Sequence, residues 1–375
     1  MIEDEGSVAS HPTLGDFLNF RNGKTSPLRS ADAEVEVFGA NGAIGKTEKA
    51  NFDGPTVIIG RVGSYCGSLH YSPDPIWVTD NAIACNPKRP SDAAYWYYAL
   101  QTLGLNARSS GSGQPLLNHT VLSQIPFSPP SAAERNAIAE VLAALDNKIN
   151  ANSKLADSVS SLAHLLFNRA TESIGSRPMS ELLDPILGGT PSRVNSDFWG
   201  GSHFWASAKD ITGAKNAVVI ATEESISELA VNNTKAKPLP VGSVILTARG
   251  TVGAVARLAV PASFNQSCYG FVPGEIPGSI LYFGILNAMQ RAKAIAHGSV
   301  FDTITMKTFD HLDFPAFERG AADSLNRNIA PLLDTVVAKV KENKTLAELR
   351  DTLLPELMSG RLRVNDIESV VTDAV

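Results

Sequence analysis

The chain has 375 residues, 43% of them hydrophobic, with a net charge of -6 at neutral pH and a pI near 5.7. That length and apolar content can bury several cores and suggest two or three domains. The acidic balance speaks mildly against a protein that grips nucleic acid unaided, because phosphate contact normally leaves a basic footprint.

No apolar run reaches the roughly 18 residues of a membrane span. The opening MIEDEGSVASHP is acidic and has no hydrophobic signal core, so the cytoplasm is the expected location. Cys66, Cys85 and Cys268 are odd in number and far apart, which suits buried free thiols and neither a disulfide framework nor a metal knuckle. From Pro12 to Ser128 nine Lys and Arg face nine Asp and Glu. Any basic face there must come from arrangement.

The first stretch, 1–128, is rich in Gly, Pro, β-branched and aromatic residues. Short apolar runs such as Thr56 to Ile59 and Ile76 to Val78 are bounded by turn residues, the pattern of short strands in an α/β unit. Pro129 and Pro130 end it. Ser131 and Glu134 then form a capping-box signature that opens a long helix within 129–176, reaching about Ala170. A second globular unit occupies 177–316, with apolar runs at Val244 to Leu246 and Ser279 to Phe283. A second long helix lies in 317–364 and ends near Ser359, before an acidic tail at 365–375. Pro331 is tolerable if Asn328 caps this helix, whereas Pro355 should loosen its last turn.

The chain also repeats itself. Gly111 and Ser112 return 187 positions later as Gly298 and Ser299, each pair followed by a long helical stretch. Ile138, Leu142, Leu145, Ile149, Asn152, Leu155, Val159, Leu162 and Leu166 follow at spacings of three or four. They are matched in order by Ile329, Leu333, Val336, Val340, Asn343, Leu346, Arg350, Leu353 and Leu357. The fold class is therefore α+β: two similar α/β units separated by two long helices that form an antiparallel coiled coil, with pseudo-twofold internal symmetry. Antiparallel pairing brings Asn152 opposite Asn343, and one amide per helix in an apolar seam fixes register. The seam of about 28 residues spans about 42 Å at 1.5 Å per residue, against about 34 to 36 Å for one turn of DNA. Two units at the ends of such a rod could visit two sites on one duplex.

Several strings resemble the specificity subunit of type I restriction-modification enzymes. In the first unit they are FGANGAIG (38–45), VIIGRVGSYCG (57–67) and GSGQP (111–115). In the second they are GGTPSR (188–193), FWGGSHFW (198–205) and ILTARGTVG (245–253), and LLPELMSGRL (353–362) looks like a closing motif. Their order and duplication carry the resemblance over nearly the whole chain. It implies that each globular unit is a target recognition domain reading one half of a bipartite, asymmetric site in double-stranded DNA. The helices would space the domains and dock two DNA methyltransferase subunits. S-adenosylmethionine, ATP and Mg would be bound by those methyltransferase and by restriction/translocase subunits, with no cofactor, no metal and no catalysis in this chain.

Side chains suited to that task sit in the loops. Gly63 and Gly250 align at the 187-residue offset, with Arg61 and Arg249 beside a tight turn. Such an arginine can reach a phosphate or a guanine edge, or it can simply be paired structurally. Arg21, Lys24 and Lys46 in the first unit, and Ser192, Arg193, Lys209 and Lys307 in the second, are further donors. Asn41, Gln114, Asn265 and Gln266 could make the bidentate amide contact that reads adenine. Each also reads as a plain surface residue. Trp199, Trp205 and the Tyr95 to Tyr98 cluster read as core packing rather than base-stacking groups.

Other signals point away from an enzyme. ANGAIGKT (40–47) fits a relaxed phosphate-binding loop, but Phe52, Asp53, Gly54 and Pro55 follow too soon for the helix such a loop must open. No nucleophile elbow, no HExxH and no CxxC occurs. The reading from another class is a scaffold whose two units bind proteins. Its acidic charge favours that reading and the family strings oppose it.

Overall fold

A computed structural model describes residues 11–109, 115–295 and 303–366. The chain divides into two compact units, one made of residues 1–147 with 346–375 and the other of residues 148–345. Each unit takes a share of both long helices, Ala132–Thr171 and Arg319–Met358.

In the first unit the strands are β1 (Leu18–Asn22), β2 (Val35–Gly39), β3 (Gly42–Thr47), β4 (Thr56–Gly60), β5 (Leu69–Ser72), β6 (Trp77–Val78) and β7 (Ala82–Pro87). A four-stranded sheet has the order β1-β7-β4-β5 and a three-stranded one the order β3-β2-β6. The Thr56–Gly60 run is buried at every position, as befits a strand covered on both faces. Tyr95 and Trp96, on the helix Ala93–Gln101, close the core together with Ile138 and Leu142 of the first long helix and Leu354 and Leu357 of the second.

In the second unit the strands are β8 (Ser176–Pro178), β9 (Ile186–Leu187), β10 (Trp199–Ala206), β11 (Val218–Val219), β12 (Glu224–Ile226), β13 (Val244–Thr247), β14 (Val255–Leu258), β15 (Ala262–Phe264), β16 (Cys268–Phe271) and β17 (Asp313–Pro315). Their sheets run β11-β14-β13-β16-β9, β12-β10-β15 and β17-β8. Apart from the added β11 and the β8/β17 pair, this is the plan of the first unit. β9-β16-β13-β14 repeats β1-β7-β4-β5, and the parallel β10–β15 pair repeats β2–β6. The Ser279 to Phe283 run lies on a helix, Gly278–Ile295, because its apolar residues are buried all round, and periodicity does not separate that case from a buried strand.

The first long helix opens as expected. Ser131 Oγ and its backbone N–H both donate to the Glu134 carboxylate, at 2.7 and 3.0 Å, and Glu134 N–H donates back to Ser131 Oγ at 3.4 Å. Those bonds hold the Glu134 carboxyl below its usual range. The second helix begins at Arg319, so Pro331 lies well inside it and Asn328 is no cap; it also runs through Pro355 to Met358. The Ser359 N–H still reaches the Pro355 carbonyl at 3.1 Å, so the last turn stays closed.

Within the second unit the two central amides meet. Asn152 Nδ2 donates to Asn343 Oδ1 at 3.1 Å, and Asn343 Nδ2 donates to the Ile149 carbonyl at 3.2 Å and to Ser153 Oγ at 3.0 Å. Beyond Asn152 the first helix departs from the expected seam. Leu155, Leu162 and Leu166 are 45%, 47% and 36% exposed, and Ala156, Ala163 and Phe167 are buried instead. A straight helix drifts by about 20° per heptad from a 3.5-residue seam. Here the buried face also turns toward the globular part of the unit, where Ala156 joins a core cluster with Val218 and Ala259, and Phe167 meets Phe283.

Candidate nucleic-acid interface

The loops at one end of each sheet are built on the same backbone bonds. In the first unit Arg61 N–H donates to the Asn81 carbonyl and Leu117 N–H to the Arg61 carbonyl, both at 2.9 Å. In the second, Ala248 N–H donates to Ser267 at 2.7 Å and Ile304 N–H to Ala248 at 2.9 Å. Gly23 bonds to Ala82 as Gly188 bonds to Cys268, and Lys24 to Val78 as Gly189 to Phe264. Thr79 N–H reaches the Phe38 carbonyl as Asn265 N–H reaches Ala206. Each rim thus gathers the turn after the central strand, the turn before β7 or β16, and the segment leaving β1 or β9. Gly63 and Gly250 turn the first of these with φ of 69° and 76°. Gly188 lets the chains touch, since a Cβ there would stand 2.2 Å from the Asn265 carbonyl oxygen.

These bonds show which candidate residues share a place. Arg61 corresponds to Ala248, and Arg249 to Val62, so the two arginines sit one position apart on their turns. Lys24 corresponds to Gly189, Thr79 to Asn265 and Asp80 to Gln266. Arg61 is half-buried and gives its Nη1 to the Asp80 carbonyl at 3.2 Å, while Arg249 and Gln266 are exposed. The Asn265 Oδ1 is spent on the Ser267 N–H at 3.1 Å. Asn41 is exposed at the tip of the β2–β3 hairpin, beside the Gly60 to Ser68 turn, where the Ser68 hydroxyl donates to the Ala40 carbonyl. Arg21 is exposed on β1, Lys46 on β3, and Lys307 on the turn after Ile304. Gln114 lies outside the described residues, as do Gly111, Ser112, Gly298 and Ser299.

Two of the second unit's candidate donors, Arg193 and Lys209, are held on carboxylates. Arg193 is paired with both oxygens of Glu224, its guanidinium carbon 3.6 Å from the Trp199 ring centre. The bond from Arg193 holds the Glu224 carboxyl below its usual range. Trp199 Nε1 donates to the Ser192 carbonyl at 3.1 Å, and its ring meets that of Trp205 edge-on at 5.0 Å. Trp205 is buried and donates to the Gly189 carbonyl at 2.9 Å, so it is a core residue that anchors the GGTPSR loop. Lys209 Nζ is bonded to Glu223 at 2.6 Å, and His203 Nε2 lies 2.6 Å from Glu228. Glu224 was not visible as a partner of Arg193 in the sequence, where the two stand 31 positions apart.

The ANGAIGKT string forms the β2–β3 turn and strand β3, with no helix after it. All three cysteines are buried and unbridged, and burial pushes the Cys85 and Cys268 thiols up, the latter to about 12. Among the described residues no group of His, Cys, Asp and Glu is arranged to hold a metal ion, and no helix is long and apolar enough to cross a membrane.

Two α/β units of one plan, each offering loops of one backbone design with different side chains, define an internally duplicated protein with two distinct loop surfaces. The chain belongs to the family of type I restriction modification DNA specificity domains, whose profile matches residues 11–160 and 191–349. It is similar to the type I restriction enzyme MjaIX specificity subunit of Methanocaldococcus jannaschii, 26% identical over 43% of this chain and 38% of the relative. It is also similar to the HindI specificity subunit of Haemophilus influenzae, 25% identical over 50% of this chain and 41% of the relative. The matched stretch is therefore about two fifths of the length of these relatives. The crystal structure of a type I restriction-modification S subunit from M. genitalium shares the fold, with a TM-score of 0.65 and 15% identity over 95% of this chain and 98% of that one.

Proposed function

We propose that this chain is the DNA-recognition subunit of a type I restriction-modification complex. Residues 1–128 and 177–316 are its two target recognition domains, each reading one half of a bipartite, asymmetric site. The helical stretches 129–176 and 317–364 space the domains and dock two methyltransferase subunits. The exposed Leu155, Leu162, Leu165 and Leu166 on the first helix support such docking, as exposed apolar surface along one helix suits protein contact. Adenine methylation from S-adenosylmethionine, and ATP- and Mg-dependent translocation and cleavage, belong to the partner methyltransferase and restriction subunits in the cytoplasm. This chain is itself non-catalytic.

The observation that carries the reading is the pair of loop rims with matched backbone bonds and unmatched side chains: Arg61, Lys24 and Asp80 in one unit stand where Ala248, Gly189 and Gln266 stand in the other. A shared frame with exchanged side chains is what reading two different half-sites requires. The coil amides Asn152 and Asn343 serve to fix register. With a net charge of -6, the chain alone binds DNA weakly, and partner subunits complete a tight, salt-sensitive grip.

The test is co-expression with a type I methyltransferase subunit from the same host, followed by single-molecule sequencing of host DNA for N6-methyladenine. A single split motif that disappears when this chain is deleted is the expected result. No change in methylation would overturn the reading and favour a protein-binding scaffold.

A further inference from the structure

Two aliphatic side chains are held in solvent in corresponding loops of the two units. Leu28 is 96% exposed and Val194 is 97% exposed, while the next most exposed large hydrophobic residue among the described ones, Leu165, is 63% exposed. Both lie in the segment that leaves the first strand of the unit's main sheet, β1 or β9, before β2 or β10. A singly exposed apolar residue is ordinary; a fully exposed one in the same loop of both copies of a duplicated fold, on different local sequence, is not.

Neither tip is slack. The Leu28 carbonyl accepts from Thr47 Oγ1 at 2.9 Å, Arg29 Nη1 donates to the Ile44 carbonyl at 2.8 Å, and Ser30 N–H donates to the Lys46 carbonyl at 3.0 Å. These bonds tie Leu28 and the two residues after it to β3. Around Val194, Arg193 is clamped between Glu224 and Trp199, Asn195 N–H donates to the Ser192 carbonyl at 3.3 Å, and Asn195 Oδ1 accepts from Asp197 N–H at 3.1 Å. The backbone therefore presents each side chain outward and keeps it from folding back.

Both tips connect to the rims described above. Ile44, whose carbonyl holds Arg29, packs over Gly39 beside Thr79, and Thr79 pairs with Lys24. Arg193 stacks on Trp199, which meets Trp205, which bonds to Gly189. A rim that met only phosphates would select charged and hydroxyl groups. The one apolar feature on base-pair edges is the thymine 5-methyl group in the major groove.

We propose that Leu28 and Val194 are specificity-determining residues, each packing its aliphatic side chain on a thymine 5-methyl group in the half-site read by its own unit. This rests on the DNA-recognition reading above. Basic neighbours favour DNA over a protein partner for Leu28, where Arg21, Lys24 and Arg29 fall between Asp16 and Asp32 with no acid among them.

The experiment uses the full chain in complex with its methyltransferase subunit and a duplex carrying the motif found by methylome sequencing. Binding of Leu28→Ala and Val194→Ala is compared on this duplex and on duplexes with deoxyuridine replacing one thymidine at a time, which removes only the methyl. Leu28→Ala should weaken binding about tenfold on the parent duplex, in the range of a single lost base contact. It should lose nothing further on the duplex whose uridine removes the partner methyl. Val194→Ala should behave the same way in the other half-site.

Equal losses on every duplex, or no loss on any, would overturn the assignment. So would failure of either variant to assemble with the methyltransferase subunit, which would place the tips on protein. A wild-type complex that methylates no split motif defeats the underlying reading itself, and is recognisable because it appears before any variant is made.

Discussion

At the same point of the fold the first unit carries a buried ion pair and the second a neutral hydrogen bond. Asp92, at the start of the helix after β7, is 3% exposed and accepts from Arg135 of the first long helix at 2.8 Å. In the second unit Ser279, at the start of the helix after β16, donates to Asn326 of the second long helix at 2.6 Å. Arg135 and Asn326 stand 191 positions apart, the offset of the helical repeat. A second exchange follows lower on the helices. Arg350 binds Asp146 in the first unit, and the repeat positions Val159 and Val337 pack apolar surface in the second. One scaffold thus closes the joint between its globular part and its helices by charge in one copy and by neutral packing in the other. Joint geometry is set by the backbone, and side-chain chemistry is free to differ, just as it does at the loop rims.

The largest effect should come from breaking the charged joint. Arg135→Met leaves Asp92 buried without its main partner, and removal of one member of a buried pair costs about 3–5 kcal/mol. Urea unfolding of the full chain should show this as an early transition. Importing the second unit's chemistry with Asp92→Ser and Arg135→Asn together should recover most of the loss. If the double variant is as unstable as the single one, the two joints are not interchangeable and the comparison fails.

The amide pair comes next. Asn152→Leu alone leaves the Asn343 carbonyl oxygen without its donor in a largely buried seam, at a cost of about 1–3 kcal/mol. With Asn343→Leu added, stability should return to that of the wild type or exceed it, with looser register. Register is readable from disulfide cross-linking of cysteine pairs placed along the two helices of this unit. A large loss in the double variant would show that Asn343 is needed for its bonds to Ile149 and Ser153. The neutral joint should be less sensitive still: Asn326→Ala is expected to cost about 1 kcal/mol, the net worth of an ordinary hydrogen bond.

What was legible in the sequence follows from the range of the forces involved. The Ser131 and Glu134 cap, the strand at Thr56 to Gly60 and the meeting of Asn152 with Asn343 depend on near neighbours or on a repeat that can be counted. The seam beyond Asn152 was not legible, because Ala156 and Phe167 are buried by the globular part of their unit and not by a heptad partner alone. Pro331 misled for a similar reason: the helix extends N-terminal of it, where Leu325 packs on the unit's core and Ala322 is buried. At the rims, residue type could nominate Arg61, Arg193 and Arg249, but not that Arg61 falls opposite Ala248 or that Arg193 is held by Glu224. Leu28 and Val194 escaped altogether, since exposure is a property of the folded surface and both residues look like core in the sequence.

The smallest effect concerns pH and sharpens the contrast between charge and packing inside the second unit itself. Glu342, one position before Asn343, accepts from Lys339 at 2.6 Å and lies 3.4 Å from Lys148. The Lys339 bond first, then Asn152 and Lys148, hold its carboxyl down to about 2 from a usual 4.5. A carboxyl depressed in the folded state adds stability that is complete above the unfolded value and is lost as pH falls through the folded one. The unfolded chain takes up its proton first, near 4.5, so the contribution of Glu342 should be whole at pH 6 and fade between about 4.5 and 2. Glu342→Gln removes the titration but keeps a hydrogen-bond acceptor. The gap in urea midpoint between wild type and this variant should therefore be small at pH 6 and close as the solution is acidified. Since the carboxyl is a third exposed on its side chain, added salt should narrow the same gap. A gap that ignores both acid and salt would mean that the Asn152 contact, not the lysines, is what Glu342 contributes to the helix pair.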